Sequence, residues 1–95
     1  MLNKIEIPTM LFWENGNSWY GSKGLARFFI HPVKHEPPED TPEEPARTTL
    51  DVELWRGPLT KALSEIIATA SFPRSEEGLV QMVAWLEDRA AELNP

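Results

Sequence analysis

The sequence of 95 residues contains no cysteine. That removes thiol nucleophiles, cysteine-ligated zinc and any disulfide framework, so a small secreted scaffold held by bridges is excluded and a reducing cytoplasm is the expected location. Long apolar runs are missing too, and none approaches the roughly 18 residues that a membrane span needs. The start, Met1-Leu2-Asn3-Lys4-Ile5-Glu6, lacks the basic segment and apolar stretch of a signal peptide, so the chain is expected to be neither inserted nor exported. Bases are scarce, nine Lys and Arg against fifteen Asp and Glu. With no Lys/Arg cluster to neutralise phosphates, no nucleic acid is expected as a direct partner.

The hydrophobic content of 41% suffices for one modest core, since a chain of this size buries roughly 60 to 65% of the surface that its unfolded form exposes. A single domain over 1–95 is expected. Five of the acids, Glu36, Glu39, Asp40, Glu43 and Glu44, fall within residues 36–45 beside four prolines and no base, so the rest of the chain carries −1 of the net −6. This composition predicts a Pro/Glu-rich flexible loop at about 35–47 that interrupts the domain between two strands. A nucleic-acid mimic would need its acids fixed on an ordered face, so an acidic inhibitor of a nucleic-acid enzyme stands as a lesser alternative.

Local patterns then divide the chain. Asn15-Gly16, flanked by Phe12-Trp13 and Trp19-Tyr20, predicts a type I′ hairpin that sets Trp13 opposite Ser18 and Phe12 opposite Trp19. In that register Met10, Phe12 and Trp19 share one face, and Leu11, Trp13 and Tyr20 the other. Ala26-Arg27-Phe28-Phe29-Ile30-His31 alternates as a strand ended by Pro32, with Ala26, Phe28 and Ile30 on one side and Arg27, Phe29 and His31 on the other. In Thr48-Thr49-Leu50-Asp51-Val52-Glu53-Leu54-Trp55 the alternation directs Leu50, Val52 and Leu54 inward and Asp51, Glu53 and Trp55 outward. After Gly57-Pro58, a short loop or helical turn leads to a strand over 65–72, rich in β-branched residues and closed by Pro73.

Ser75 caps a C-terminal helix whose first turn carries Glu76 and Glu77. Leu79, Met82, Val83, Leu86, Ala90 and Leu93 form its apolar stripe, with Val80 at the margin. Trp85 is set to cover a sheet edge. Gly78 costs about 1 kcal/mol of helix propensity, which points to close packing against a neighbour. The predicted fold is therefore α+β: an antiparallel, meander-like sheet of four to five strands with one C-terminal helix packed on one face.

Motifs for chemistry are sparse. His31 and His35 are the two histidines, separated by Pro32 in extended chain, so helical metal geometry is not expected and neither a metal nor a cofactor is predicted. No Gly-x-Ser-x-Gly supports a serine nucleophile, and Gly21-Ser22-Lys23-Gly24 lacks the spacing of a phosphate loop. Asp51 and Glu53 share a strand face about 7 Å apart, as on most solvated strands. No catalytic residue is assigned.

The aromatic inventory is what stands out. One helix cannot cover both faces of a sheet bearing Trp13, Tyr20, Phe29 and Trp55 on its far side, unless Trp13 and its neighbours form the core face with Phe12 and Trp19 as the outliers, or the long loop folds back over the second face. The function expected is a non-enzymatic protein–protein interaction module whose surface comprises Trp13, Tyr20, Arg27, Phe29, His31 and Trp55, binding a protein partner or forming a homodimer. The alternative is a small enzyme or ligand-binding protein with a site near His31 and Glu53, using Asp51 as well.

Overall fold

Period-two alternation builds the sheet and period-3.6 spacing builds the helix that covers it. The computed structural model describes residues 4–37, 39, 40, 43, 46–58 and 60–94. Strands β1 (Trp19–Lys23), β2 (Ala26–His35), β3 (Arg47–Arg56) and β4 (Ala68–Pro73) form a four-stranded antiparallel sheet in the order β1-β2-β3-β4. A helix, α1 (Met10–Glu14), precedes the sheet, a 3-10 turn at Lys61–Leu63 interrupts it, and α2 (Glu76–Leu93) follows it. The Pro/Glu-rich segment joins β2 to β3; Pro38, Thr41, Pro42, Glu44 and Pro45 of it lie outside the described residues.

The inward rows are those that alternation selects. Ala26, Phe28 and Ile30 from β2 and Leu50, Val52 and Leu54 from β3 are buried, and they meet Leu79, Met82, Leu86 and Ala90 of α2 in one core. Ser75 caps α2, its hydroxyl accepting from the Gly78 amide at 3.0 Å. Trp85 reaches the β4 edge and meets Phe72 edge-on, ring centroids 6.1 Å apart. Val80 faces solvent at 70% exposure.

Three expectations are corrected. Residues 10–14 are helical rather than one arm of a hairpin, and Asn15-Gly16 ends that helix instead of joining two strands. A type I′ turn requires positive φ at both central residues. Here Asn15 has φ −81° and Gly16 φ +78°, the single left-handed residue of a helix C-terminus, with the Gly16 amide bonded to the Trp13 carbonyl at 3.0 Å. Phe12 and Trp19 do meet, edge to face at 5.9 Å, but from helix to strand.

Pro32 does not end its strand, for β2 continues to His35. The bond from the Arg74 amide to the Thr48 carbonyl makes the even-numbered residues of β3 face β4, so its odd-numbered residues bond β2. Pro32 lies opposite Leu50, and its missing N–H therefore faces the β1 side, where β1 has already stopped at Trp19 opposite Ile30. Proline is tolerated where no ladder bond is lost. The last strand begins at Ala68 rather than at residue 65, because the Ile67 amide turns to the Leu54 carbonyl, one residue out of register, and it extends through Pro73.

The last two turns of α2 tie the start of the chain to the β1–β2 turn. Glu87 accepts from the Ile5 amide and from Lys23 Nζ, both at 2.5 Å. Asn94 accepts from the Leu25 amide at 2.8 Å and donates to the Lys23 carbonyl at 3.0 Å. The bond from Lys23, with that from Ile5, holds the Glu87 carboxyl below the ordinary glutamate value, outweighing the opposing effect of burial. A depressed carboxyl stabilises the fold above its unfolded pKa, and that contribution is lost as pH falls through the folded value. Glu87→Gln is expected to lower stability by about 1 to 2 kcal/mol at pH 7, the range for a partly exposed charged hydrogen bond. In urea titrations the gap between variant and wild type closes below pH 4; a gap that persists at pH 2 would show that ionisation is not its source.

Candidate functional site

The face of the sheet opposite α2 carries the side chains that packing does not consume. Register brings Tyr20, Phe29, Glu53 and Thr69 into one row across the four strands, and His31, Asp51 and Ser71 into the next. Tyr20 and Phe29 lie 4.4 Å apart between ring centroids, and the His31 imidazole stacks on Phe29 at 5.1 Å with 12° between planes. Tyr20 and Phe29 face each other across β1 and β2, and His31 follows Phe29 two residues along β2. Tyr20 is 63% exposed, while Phe29 and His31 are half-buried.

Two aromatics expected on this face are elsewhere or covered. Trp13 belongs to the core, at 0% exposure, because α1 turns it inward and its indole N–H donates to the Pro8 carbonyl at 3.0 Å. Trp55 does point outward by alternation, yet it is 3% exposed. The chain after β3 folds back beside it, and Pro58, Thr60, Lys61 and Ala62 with Tyr20 and Arg27 enclose a slot of about 400 Å³ at Trp55. Arg27 is spent locally, its guanidinium donating to the Gly24 carbonyl and to the Ala26 carbonyl at 3.2 Å. The aromatic surface of this face is thus the exposed Tyr20 with the half-buried Phe29 and His31.

Lys61 was not singled out by the sequence; it sits over the first row, and Glu53, its partner there, reaches His31 in the second. Its ammonium lies 3.1 Å from Glu53 Oε1 and 4.7 Å from the Phe29 centroid, while Glu53 Oε1 is 3.8 Å from His31 Nε2. The available signal was positional: a Gly57-Pro58 turn after an outward Glu53 sends the next few residues back over that face.

Beside this cluster runs a chain of hydroxyls on Asp51. Thr49 Oγ1 and Ser71 Oγ both donate to Asp51 Oδ1, at 2.8 and 2.7 Å, and His35 Nε2 lies 2.8 Å from Thr49 Oγ1. A carboxylate is acceptor only, so the Thr49 proton is committed to Asp51 and Thr49 Oγ1 must accept from His35 Nε2–H. The imidazole is therefore oriented as a donor, which is the reverse of a base activating a hydroxyl nucleophile. A shallow cavity of about 390 Å³ lies over His31, Asp51, Glu53, Thr69, Ala70 and Ser71. Among the described residues, no three His, Asp or Glu side chains stand together as a metal-binding group, and no helix is long and apolar enough to cross a membrane. Comparison with protein-family models, with curated proteins and with solved structures finds no match for this chain.

Proposed function

We propose that this chain is a non-enzymatic interaction module that binds another protein through the sheet face opposite α2, in the reducing cytoplasm that a cysteine-free sequence suits. The observation that carries the reading is the Tyr20–Phe29–His31 cluster, three rings in contact through Phe29, with Tyr20 exposed and Phe29 and His31 half-buried beside it. Rings pre-ordered by stacking lose little side-chain entropy on docking, and tyrosine is enriched among the residues that dominate interface energies. The Lys61–Glu53 pair at its border supplies the polar rim such a contact uses.

Tyr20→Ser with Phe29→Ser is expected to leave the core intact and weaken the partner about thirtyfold, the loss of one hot spot of roughly 2 kcal/mol. The measurement is titration calorimetry with a protein recovered by photo-crosslinking from position 20. Unchanged affinity in a folded double variant removes this reading. The ligand-binding alternative draws on the cavity over His31, Asp51 and Glu53. Small-molecule shifts of the His31 resonances that survive Tyr20→Ser would favour it instead.

A further inference from the structure

The two edges of the sheet differ. Strand β1 is five residues long, ends in Lys23, and has Lys4, Ile5 and Glu6 beside it around a shared cavity. Strand β4 is the other edge, met at Phe72 by Trp85 from the helix side, and residues 66–73 carry no charge at all. The ladder phase set by Arg74 and Thr48 points the N–H and C=O groups of Thr69 and Ser71 away from β3, to the open side. Natural edge strands are usually blunted by a charge, a bulge or a covering segment.

We propose that β4 pairs antiparallel with β4 of a second copy of this chain about a two-fold axis at Ala70, joining two sheets into one of eight strands. A two-fold normal to the sheet requires paired residue numbers of even sum, so each residue meets one on its own face. Centred on Ala70, Thr69 meets the partner copy's Ser71, Ala68 meets Phe72, and Ile67 meets Pro73. Each pairing is complementary. Thr69 and Ser71 exchange four backbone hydrogen bonds across the axis. Ser71 already gives its proton to Asp51, which leaves its oxygen to accept from the facing Thr69 hydroxyl. Ile67, 51% exposed, covers the exposed Pro73 of the other copy.

Charge selects a second copy as the occupant. The neutral strand is bracketed by Glu65 and Arg74, so antiparallel self-pairing sets each acid beside the other copy's base, whereas parallel pairing would set like charges together. For a chain of net charge −6, an uncharged edge is where copies approach with least repulsion. Seven facing residues bury less than the roughly 1,200 Å² of a stable interface, which makes the dimer weak, with a Kd on the order of 100 µM.

Sedimentation of the wild type from 5 µM to 1 mM is expected to show the mass doubling, and Thr69→Lys with Ser71→Lys, which sets lysines opposite lysines, to raise Kd at least tenfold. Both positions are exposed and edge strands accept lysine, so the variant folds. Ala70→Cys reads the register directly. It is a non-hydrogen-bonded pair with Cα atoms about 4.5 Å apart, within disulfide reach, in a chain without other cysteines. Under mild oxidation it is expected to crosslink at least fivefold faster than Val80→Cys, an exposed site off the edge. A wild type that stays monomeric to 1 mM overturns the proposal, as does a dimer that survives both lysines or Ala70→Cys crosslinking no faster than Val80→Cys. Tyr20→Ser and Phe29→Ser leave this dimer unchanged, so its fate and that of the aromatic face are read separately.

Discussion

Trp13→Ala is expected to remove most of the stability of this protein. Trp13 has 0% exposure and meets Phe12 edge-on at 4.8 Å, while its carbonyl takes a hydrogen bond from Arg74 at 3.3 Å. Truncating a buried tryptophan costs about 3 to 5 kcal/mol through lost transfer energy and the cavity left behind. It also frees the Pro8 carbonyl, which now holds the indole N–H. Small domains have roughly 5 to 10 kcal/mol in total. Urea unfolding should therefore shift its midpoint down by about 2 to 3 M at unchanged slope. Tyr20→Ala, at the exposed face, should shift it by less than about 0.5 M. Equal effects at the two positions would mean that α1 does not hold Trp13 against the core.

Gly78→Ala is expected to destabilise although it improves helix propensity. In an open helix the change gains about 1 kcal/mol. Here a Cβ at position 78 would run into the Pro73 carbonyl oxygen, closer than real side chains come. That carbonyl is not free to retreat, because it accepts the Ser75 amide at 2.9 Å and the next residue, Arg74, is bonded to Thr48 at 3.2 Å. Forcing an atom into a packed contact costs about 1 to 3 kcal/mol, or more where backbone must move. The net expectation is a loss of about 2 kcal/mol and a melting temperature lower by roughly 10 °C. Val80→Ala, two residues on but solvent-facing, serves as the control with near-zero effect. A more stable Gly78→Ala would show that the β4–α2 joint yields.

These two positions also mark what periodicity can and cannot reveal. The inward rows of β2 and β3, the stripe of α2 and the tight approach at Gly78 are local facts, since alternation or helical spacing decides which side of an element is apolar. Asn15-Gly16 is different. The pair suits a type I′ turn and a helix C-terminus alike, and the burial of Trp13 against residues far along the chain decides between them. Pro32 misleads for a related reason: a proline ends a strand only where its ladder partner is needed, and the length of β1 determines that.

At the candidate site, alternation placed Phe29 and His31 on one side of their strand and Asp51 and Glu53 on one side of theirs. The strand register that sets His31 across from Asp51 and Phe29 across from Glu53 is a long-range pairing that neither segment encodes alone. The cover over Trp55 and the reach of Lys61 depend on the return of the chain after Gly57-Pro58. Burial at the end of an outward row is decided by what crosses it.

The placement of Pro32 has a consequence for stoichiometry. β2 and β3 outrun β1, so beyond Trp19 the flank of β2 is itself a sheet margin. A bare margin there could recruit a further strand, and a molecule with two adhesive margins polymerises head to tail into fibres. The imide of Pro32 offers no donor at that point. A strand laid along this part of β2 would find no donor at Pro32, which makes the margin left by the short β1 a poorer template for a further strand than the neutral edge of β4.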